Sequence, residues 1–455
     1  MIVSFSIENF RSFAGEETFS LVASNRFAGH HEGHAVSIPG GEERVLRTAV
    51  LYGANGAGKS NLFKALNFVR TMALNTRGKN SGTGRESFRF GDEIEKPSIF
   101  DLCFLVNDKL YRFGFKIDDH RIVEEWLVQI DGKREKELYE RVTSADDKVT
   151  IETKGLKKAG SKLTALATVG GPPNQTFLAT VRAMLSTSDY GIELTNVINW
   201  FEDSLTLIRP DSPFLPLGQL LAQDTTFLQF ASEFLKASST GVDHLDISKK
   251  ELTEDQLRSM LPEQIFTDII NEINEDGEKA VVSIGEGSEL LVERTGENHY
   301  FHITIQAAHE HKAGRVISLK LVDESDGTQR LLQLIPALHH LKTSGGVFVI
   351  DEIDRSMHPM LTIKFLEFFL KCCEGEQRQI IVTTHESNLL DLDLLRRDEI
   401  WFVEKDKEGA TRLYSLSEFK VRKDLEIRKH YLQGRFGAVP FLGTLDRLLE
   451  EEASV

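Results

Sequence analysis

Gly53-Ala54-Asn55-Gly56-Ala57-Gly58-Lys59-Ser60 decides how this chain is read. It fits the phosphate-loop pattern G-x-x-x-x-G-K-[ST] at every position. Gly53, Gly56 and Gly58 let the backbone wrap an anion with its N–H groups, a path that side chains obstruct. Lys59 brings a point charge to β- and γ-phosphates, and Ser60 offers a hydroxyl to Mg2+. Asn55 and Asn61 belong to the same expected set of ATP contacts. A chance glycine-rich turn is the plainer alternative, but the flanks argue against it. Thr48–Tyr52 is short, apolar and strand-like. From Asn61 to about Leu74, Leu62, Leu66, Val69 and Met72 or Ala73 fall on one helical face. Strand, loop and helix form the setting that such a loop needs, and the helix N-terminus adds its positive dipole end.

Three later segments supply what a phosphate loop lacks. Val347-Phe348-Val349-Ile350-Asp351-Glu352 is an apolar strand ending in two carboxylates. Ionised carboxylates there are costly unless a metal and a water occupy the site. Asp351 is therefore assigned to Mg2+, and Glu352 to the general base that orients an attacking water. The ordinary alternative is a strand that happens to end in acid at the surface. Ile380-Ile381-Val382-Thr383-Thr384-His385 is a second apolar strand, ending in histidine. Glu324-Ser325-Asp326-Gly327-Thr328-Gln329-Arg330 opens a helix whose Leu331, Leu334, Ile335, Leu338 and Leu341 share one face. A Ser hydroxyl and Gly N–H groups at a helix start can bind an anion, although Ser and Asp are also ordinary N-cap residues.

The order of these parts, a phosphate loop far upstream and a Ser-x-Gly turn just before the acidic strand, resembles ABC-type ATPase heads. Those of the RecF, SMC and Rad50 kind are the nearest match. The resemblance implies an α/β ABC-type P-loop head with an antiparallel β-lobe and a compact helical insertion. It makes Ser325 and Gly327 an ABC signature that completes the γ-phosphate site in trans, with Asp326 in place of a more usual small residue. It places Asp354, within Ile353-Asp354-Arg355-Ser356-Met357-His358-Pro359, at the D-loop aspartate. It places His385 at the switch histidine that senses the γ-phosphate, beside Lys59 and Glu352 as the catalytic set. The Q-loop has no counterpart: no glutamine occurs from Asn61 to Val128, and Gln129 falls in the expected β-lobe.

Further stretches resemble one group of prokaryotic RecF/SMC-like ATPases of the AAA class, related to the RloA type and to the ATPase portion of the overcoming-lysogenization-defect nucleases. Ile7-Glu8-Asn9-Phe10-Arg11-Ser12-Phe13 matches their opening I-x-N-F-[RK]-S-[FY], which would put Arg11 near the nucleotide. Leu394–Lys405, Tyr431–Pro440 and Asn199-Trp200-Phe201 are in the same style. Several members act in anti-phage defence beside a separately encoded nuclease or toxin, so the resemblance implies a sensor or regulatory ATPase.

The rest of the chain frames these motifs. Residues 1–97 form the expected N-terminal ATPase lobe, 98–155 a β-lobe, 156–279 a helical insertion, 280–323 a returning β segment and 324–455 the C-terminal ATPase lobe. Strands are expected at Ile2–Ile7, Glu17–Val22, Ser98–Val106, Leu110–Ile117, Ile122–Ile130 and Leu138–Val142. Helices are expected at Thr176–Leu185, Gly191–Ser204, Leu217–Ala237, Leu252–Met260 and Pro262–Ile273, broken by Pro210, Pro213 and Pro216. No heptad is sustained, which argues against a long coiled-coil arm. Strands then return at Ala280–Val282, Leu290–Arg294, Tyr300–Ile305 and Arg315–Val322.

The 455 residues include 54 Lys and Arg against 70 Asp and Glu, a formal charge of −16. Non-specific DNA binding needs a positive surface to displace counterions, so nucleic acid is not the default partner, though a local basic stripe would permit it. No apolar run reaches the ~18 residues of a membrane span, and the N-terminus lacks a secretory pattern. Cys103, Cys372 and Cys373 form no C-x-x-C pair, and adjacent Cys372 and Cys373 are poor candidates for bridging each other, consistent with a reducing, cytoplasmic setting without a disulfide frame. Gly29-His30-His31-Glu32-Gly33-His34 invites a metal reading, but its spacing is not H-E-x-x-H, and a solvated loop is expected. Asp391-Leu392-Asp393 resembles a Toprim D-x-D, but too few residues follow, and a surface turn is expected. The motifs point to an ATP- and Mg2+-dependent head, and the resemblance implies that it pairs head to tail, in a dimer or higher oligomer, and controls an effector. A RecF/Rad50-like repair ATPase and an ATP-stabilised scaffold with incidental hydrolysis remain as rivals.

Overall fold

The computed structural model describes residues 1–78, 81–91, 94–156, 160–211, 216–275, 279–285, 288–295, 297–310, 315–420 and 426–439. Pro213 and Pro440, which the sequence reading used, lie outside them. The chain divides into two compact units. One comprises Met1–Pro210, Ser344–Ile353 and Leu366–Val455; the other comprises Asp211–Thr343 and Asp354–Phe365.

Among the described residues the first unit holds two large sheets and a small one, Ala35–Ser37 paired with Arg44–Leu46. Its six-stranded sheet runs Leu205–Ile208, Gly346–Ile350, Arg378–Thr384, Thr48–Tyr52, Ile400–Lys405, Thr411–Ser415. The first five strands are parallel and the last pairs antiparallel. Thr48–Tyr52 is buried at every position, and Arg378–Thr384 at all but its first. Strands covered on both faces read as continuous apolar runs, which is why both stand out in the sequence. The seven-stranded sheet is antiparallel: Val149–Glu152, Arg134–Thr143, Ile122–Asp131, Lys109–Ile117, Ser98–Val106, Ile2–Glu8, Glu17–Ser20. Here burial largely alternates, as in Ile2–Glu8. The N-terminal strands and the β-lobe therefore share one sheet.

Helix Lys59–Leu74 buries Leu62, Leu66, Val69, Met72 and Ala73 in a core that also takes Phe5, Phe100, Phe104, Trp200, Val347, Ile381 and Trp401. Trp200 stacks on Phe104 at 4.1 Å between centroids, so Asn199-Trp200-Phe201 serves this core. The buried amide of Gln379 joins the two sheets. It donates to the carbonyls of Ile2 (2.9 Å) and Leu46 (2.8 Å) and accepts from Ile2 N (2.7 Å).

The second unit carries a five-stranded antiparallel sheet: His244–Leu252, Glu297–Glu310, Ser288–Thr295 and Lys279–Gly285 in order, with Val316–Lys320 also paired to Glu297–Glu310. Helix Thr225–Ala237 packs on helix Asp326–Thr343. Helices Leu217–Gln223, Glu254–Met260 and Glu263–Glu275 also belong to the unit. Buried Glu289 caps the first of them, accepting from Gly218 N and Gln219 N at 2.9 Å each.

The span expected to be helical departs from that expectation in three places. Leu205–Ile208 is a strand of the central sheet, and His244–Leu252 is a strand of the second unit's sheet. The single helix expected at Leu217–Ala237 is two helices, because Asp224 turns out of helical geometry and its carboxylate caps Phe227 N at 2.9 Å.

Candidate functional site

The phosphate loop leaves strand Thr48–Tyr52 at its carboxyl end, inside the parallel sheet, where open α/β sheets place their ligands. Gly56 and Gly58 have φ of +75° and +121°, which other residues rarely adopt. Gly53 and Gly58 are also demanded by close approach. A Cβ at Gly53 would stand 2.4 Å from the Val403 carbonyl, and one at Gly58 would stand 2.2 Å from Thr411 Oγ1. Thr411 and Ser12 brace the loop from outside it. Thr411 Oγ1 lies 2.8 Å from the Ala57 carbonyl and 2.7 Å from Ser12 Oγ, and Thr411 N donates to the Ser12 carbonyl at 2.6 Å.

Lys59 is buried, with its ammonium folded onto the loop's own carbonyls, Gly53 O at 2.7 Å and Ala54 O at 3.3 Å. It also stands 3.4 Å from His385 Nδ1. An ammonium only donates, so in this pose Nδ1 accepts and the imidazole proton sits on Nε2. His385, itself exposed, follows strand Arg378–Thr384, which lies between the phosphate-loop strand and the acidic strand. This strand order brings the distant motifs Gly53–Ser60, Asp351-Glu352 and His385 to one sheet edge.

A single hydroxyl organises both carboxylate residues. Thr383 Oγ1 donates to Asp351 Oδ1 at 2.6 Å and accepts from Glu352 N at 2.8 Å. Thr383 O accepts from Ile353 N at 3.1 Å, and Asp351 N donates to Ile208 O at 2.9 Å. Asp351 is buried, and Glu352 is held in the left-handed region at φ +50°. A non-glycine residue there is held against its preference by its surroundings. The sequence reading did not single out Thr383, Thr411 or Ser12. A threonine or serine shows no such role until the strands are paired.

The second unit contains the other motif residues. Ser325 caps helix Asp326–Thr343, its Oγ accepting from Thr328 N at 3.2 Å, and Ser325 and Asp326 are exposed. Gly327 backs onto the stretch after the acidic strand: a Cβ there would lie 2.8 Å from Ser356 O. Asp354 opens that stretch, its carbonyl accepting from Met357 N at 3.1 Å. Arg355 pairs with Asp211.

Two residues expected at the nucleotide are engaged elsewhere. Arg11 has φ +52° and pairs with Glu86, while its backbone N donates to Glu86 O at 2.7 Å. Asn61 Nδ2 donates to Ser12 Oγ at 2.7 Å, which ties the helix start to the brace. Asn55 is exposed on the loop, and Ser60 is half-buried. The histidine loop is only partly solvated. His31 Nε2 bonds the Leu392 carbonyl at 2.8 Å, and His34 Nδ1 lies 3.0 Å from buried Glu399. Asp391 and Asp393 are exposed in a turn, with Asp393 N donating to Asp391 Oδ1 at 2.8 Å. Tyr431 stacks on Phe402 at 5.6 Å, so the tail motif packs against the end of the central sheet as far as it is described.

The site suits a nucleotide triphosphate with a hard divalent cation. Its loop has the glycine conformations of an anion cradle, and Ser60 and Asp351 offer oxygen ligands only. The family described as "AAA domain, putative AbiEii toxin, Type IV TA system" matches residues 49–154 and 194–391, well over half of the chain. The chain belongs to this AAA family. The match covers Gly53–Ser60, Ser325–Gly327, Asp351-Glu352 and His385. Among curated proteins there is no match. Among solved structures the chain is similar to an SMC head bound to the C-terminal winged-helix domain of ScpA, with 13% identity, TM-score 0.39 and coverage of 91% of this chain and 97% of that one. It is also similar to the SMC head domain from Thermotoga maritima, with 11% identity, TM-score 0.37 and coverage of 91% and 98%. A Pyrococcus furiosus SMC head with an extended coiled coil gives 12% identity, TM-score 0.34 and coverage of 91% and 96%. Among the described residues of this AAA protein, no helix is long and apolar enough to cross a membrane.

Proposed function

We propose that the chain is an ABC-type ATPase that binds and hydrolyses ATP between head-to-tail copies, and that the cycle switches a protein assembly. One observation carries the reading: Lys59, His385, Asp351 and Glu352 lie at the carboxyl ends of three neighbouring parallel strands, with Lys59 3.4 Å from His385 and both acidic residues held by Thr383. Gly53, Asn55, Gly56, Gly58 and Lys59 bind the triphosphate, with Asn61 tied to Ser12 at the start of the helix, while Arg11 is engaged by Glu86. Ser60 and Asp351 would hold Mg2+, which would supply Lewis-acid neutralisation of phosphate charge when bound. Glu352 orients a water and accepts its proton, and His385 responds to the γ-phosphate. Ser325, Gly327 and Asp354 of a second copy complete the site, which accords with the exposed helix start at Ser325.

The assembly is an anti-phage system in which this protein is the sensor or regulatory ATPase and the effector is a separately encoded nuclease or toxin. The family's description, which names a putative toxin and a toxin–antitoxin system, supports that setting. The charge of −16 favours a protein over DNA as the load. The helical insertion or the β-lobe is the docking region for the effector, and the cytoplasm is the compartment.

Co-purification with the product of the neighbouring gene tests this. The insertion cannot be excised whole, because Leu205–Ile208 pairs in the central sheet. Met260→Asp with Ile265→Asp, both at exposed apolar positions, is the substitute for deletion. Retention of the partner by the wild type and its loss in this variant are expected. Binding no neighbour while gripping duplex DNA in an ATP-dependent way would move the protein to the repair class.

A further inference from the structure

The first unit contains a thiol pair that the ATP chemistry leaves unused. Cys372 ends helix Pro359–Cys372 and Cys373 follows it. Their sulfurs are 3.1 Å apart; Cys372 is half-buried and Cys373 fully buried. Arg47 supplies an independent indication. It has 0% exposure, its Nη1 donates to the carbonyls of Gly33 (2.9 Å) and Leu370 (3.4 Å), and its guanidinium lies 5.0 Å from the Phe369 ring centroid. Its Nε and Nη2 have no hydrogen-bond partner among the described residues. A buried guanidinium with unmatched N–H groups calls for an anion. The acidic groups that face it are Cys373, Cys372, Glu399 and Glu374. Burial pushes Glu399 toward its neutral form, with His34 opposing. A hydrogen bond from Cys372, then Arg378 and Arg47, lowers the Cys373 thiol to about 7 against the effect of its burial. Burial, with Asp101, raises Cys103 to about 12.

We propose that Cys372 and Cys373 are a vicinal dithiol site for oxidation by low-molecular-weight disulfides. Cys372, the half-buried member of the pair, attacks one sulfur of R–S–S–R in the microstate where the pair's shared proton is on Cys373. A Cys372–S–S–R bond forms and R–S⁻ leaves. The Cys373 thiolate then attacks the Cys372 sulfur, closing the Cys372–Cys373 bond and expelling a second R–S⁻. Two protein thiols lose two electrons, the reagent becomes two thiols, and these take up both protons. The closed pair carries no charge, so Arg47 loses the thiolate among the acidic groups that face it. Arg47 accepts Ile380 N at its carbonyl (2.9 Å) and directly precedes strand Thr48–Tyr52, so the change falls at the end of the strand opposite the phosphate loop.

The test treats the folded full-length chain with oxidised glutathione from about pH 5.5 to about pH 8.5 and follows intact mass and mapped peptides. The expected product is a Cys372–Cys373 disulfide, lighter by two hydrogens, with Cys103 still reduced and a rate that rises with pH through a midpoint near 7. Cys373→Ser should stop at a mixed disulfide on Cys372. Arg47→Met should move the rate midpoint upward. Arg378→Gln, at a half-buried position, does the same should the core variant fail to fold. A persistent wild-type adduct on Cys372, reaction of Cys103 at the same rate, or a midpoint unmoved in Arg378→Gln overturns the proposal.

Discussion

The sheet edge around Lys59 and the helix start at Ser325 are both built from backbone N–H groups and short polar side chains, yet they stand in opposite states. At the sheet edge the groups are tied down. Lys59 is buried and bonded to Gly53 O, and Asp351 and Glu352 share one threonine hydroxyl. At the helix start, Ser325 and Asp326 face solvent, and the Ser325 hydroxyl is spent on capping its own helix. The first arrangement is organised before any substrate arrives, so little reorganisation is needed at the moment of reaction. The second presents a surface and waits for whatever it meets. An exposed helix start and a preorganised Lys59 site are both features that the proposed completion by a second copy would use.

The sharpest way to break this contrast is at the sheet edge. Glu352→Gln should lower ATP turnover by about 10²- to 10⁴-fold while nucleotide still binds, and should accumulate the ATP-bound dimer. Lys59→Ala should instead abolish tight binding. Steady-state turnover, nucleotide titration and light scattering separate the two. Wild-type turnover in Glu352→Gln would remove the residue from the chemistry.

A second test bears on the helix start. Ser325→Arg should leave nucleotide affinity nearly intact and stop turnover, if the exposed Ser325 serves a second copy as proposed. Mixing it with Lys59→Ala regenerates one site per mixed dimer that has both Lys59 and Ser325 intact. Recovery of up to about half of the turnover per mixed dimer is the expected result. No recovery, with mixed dimers shown to form, counts against completion in trans.

What the sequence revealed tracks how local the physics is. Thr48–Tyr52 and Arg378–Thr384 were legible because burial on both faces writes a continuous apolar run. Leu205–Ile208 was not, since four residues carry no measurable period and only pairing with Val347–Ile350 makes them a strand. His244–Leu252 is mostly polar and largely exposed, so it offered no pattern at all. Asp224 broke a helix that hydrophobic spacing had drawn as continuous. At the site, Gly53–Ser60, Asp351-Glu352 and His385 could be read as motifs, each in its own segment. Their braces could not. Thr411 meets the phosphate loop from the far end of the chain, Arg11 is taken by Glu86, and Asn61 by Ser12. Such roles exist only through tertiary contact.

Thr383 gives the finest test, because it asks whether the sheet edge is organised or merely assembled. Thr383→Val keeps the shape and removes the hydroxyl that serves Asp351 Oδ1 and Glu352 N. A buried carboxylate that loses a donor is worse off by about 1–3 kcal/mol, and Glu352 loses a bond that fixes its left-handed backbone. If that geometry matters mainly during hydrolysis, turnover should fall by about 10- to 100-fold with ATP affinity changed by less than about threefold. Thr383→Ser should restore most of the loss, since the hydroxyl returns while only a methyl is missing. A valine variant that loses affinity and turnover together would show that Thr383 supports the fold of the edge and does not aim its carboxylates.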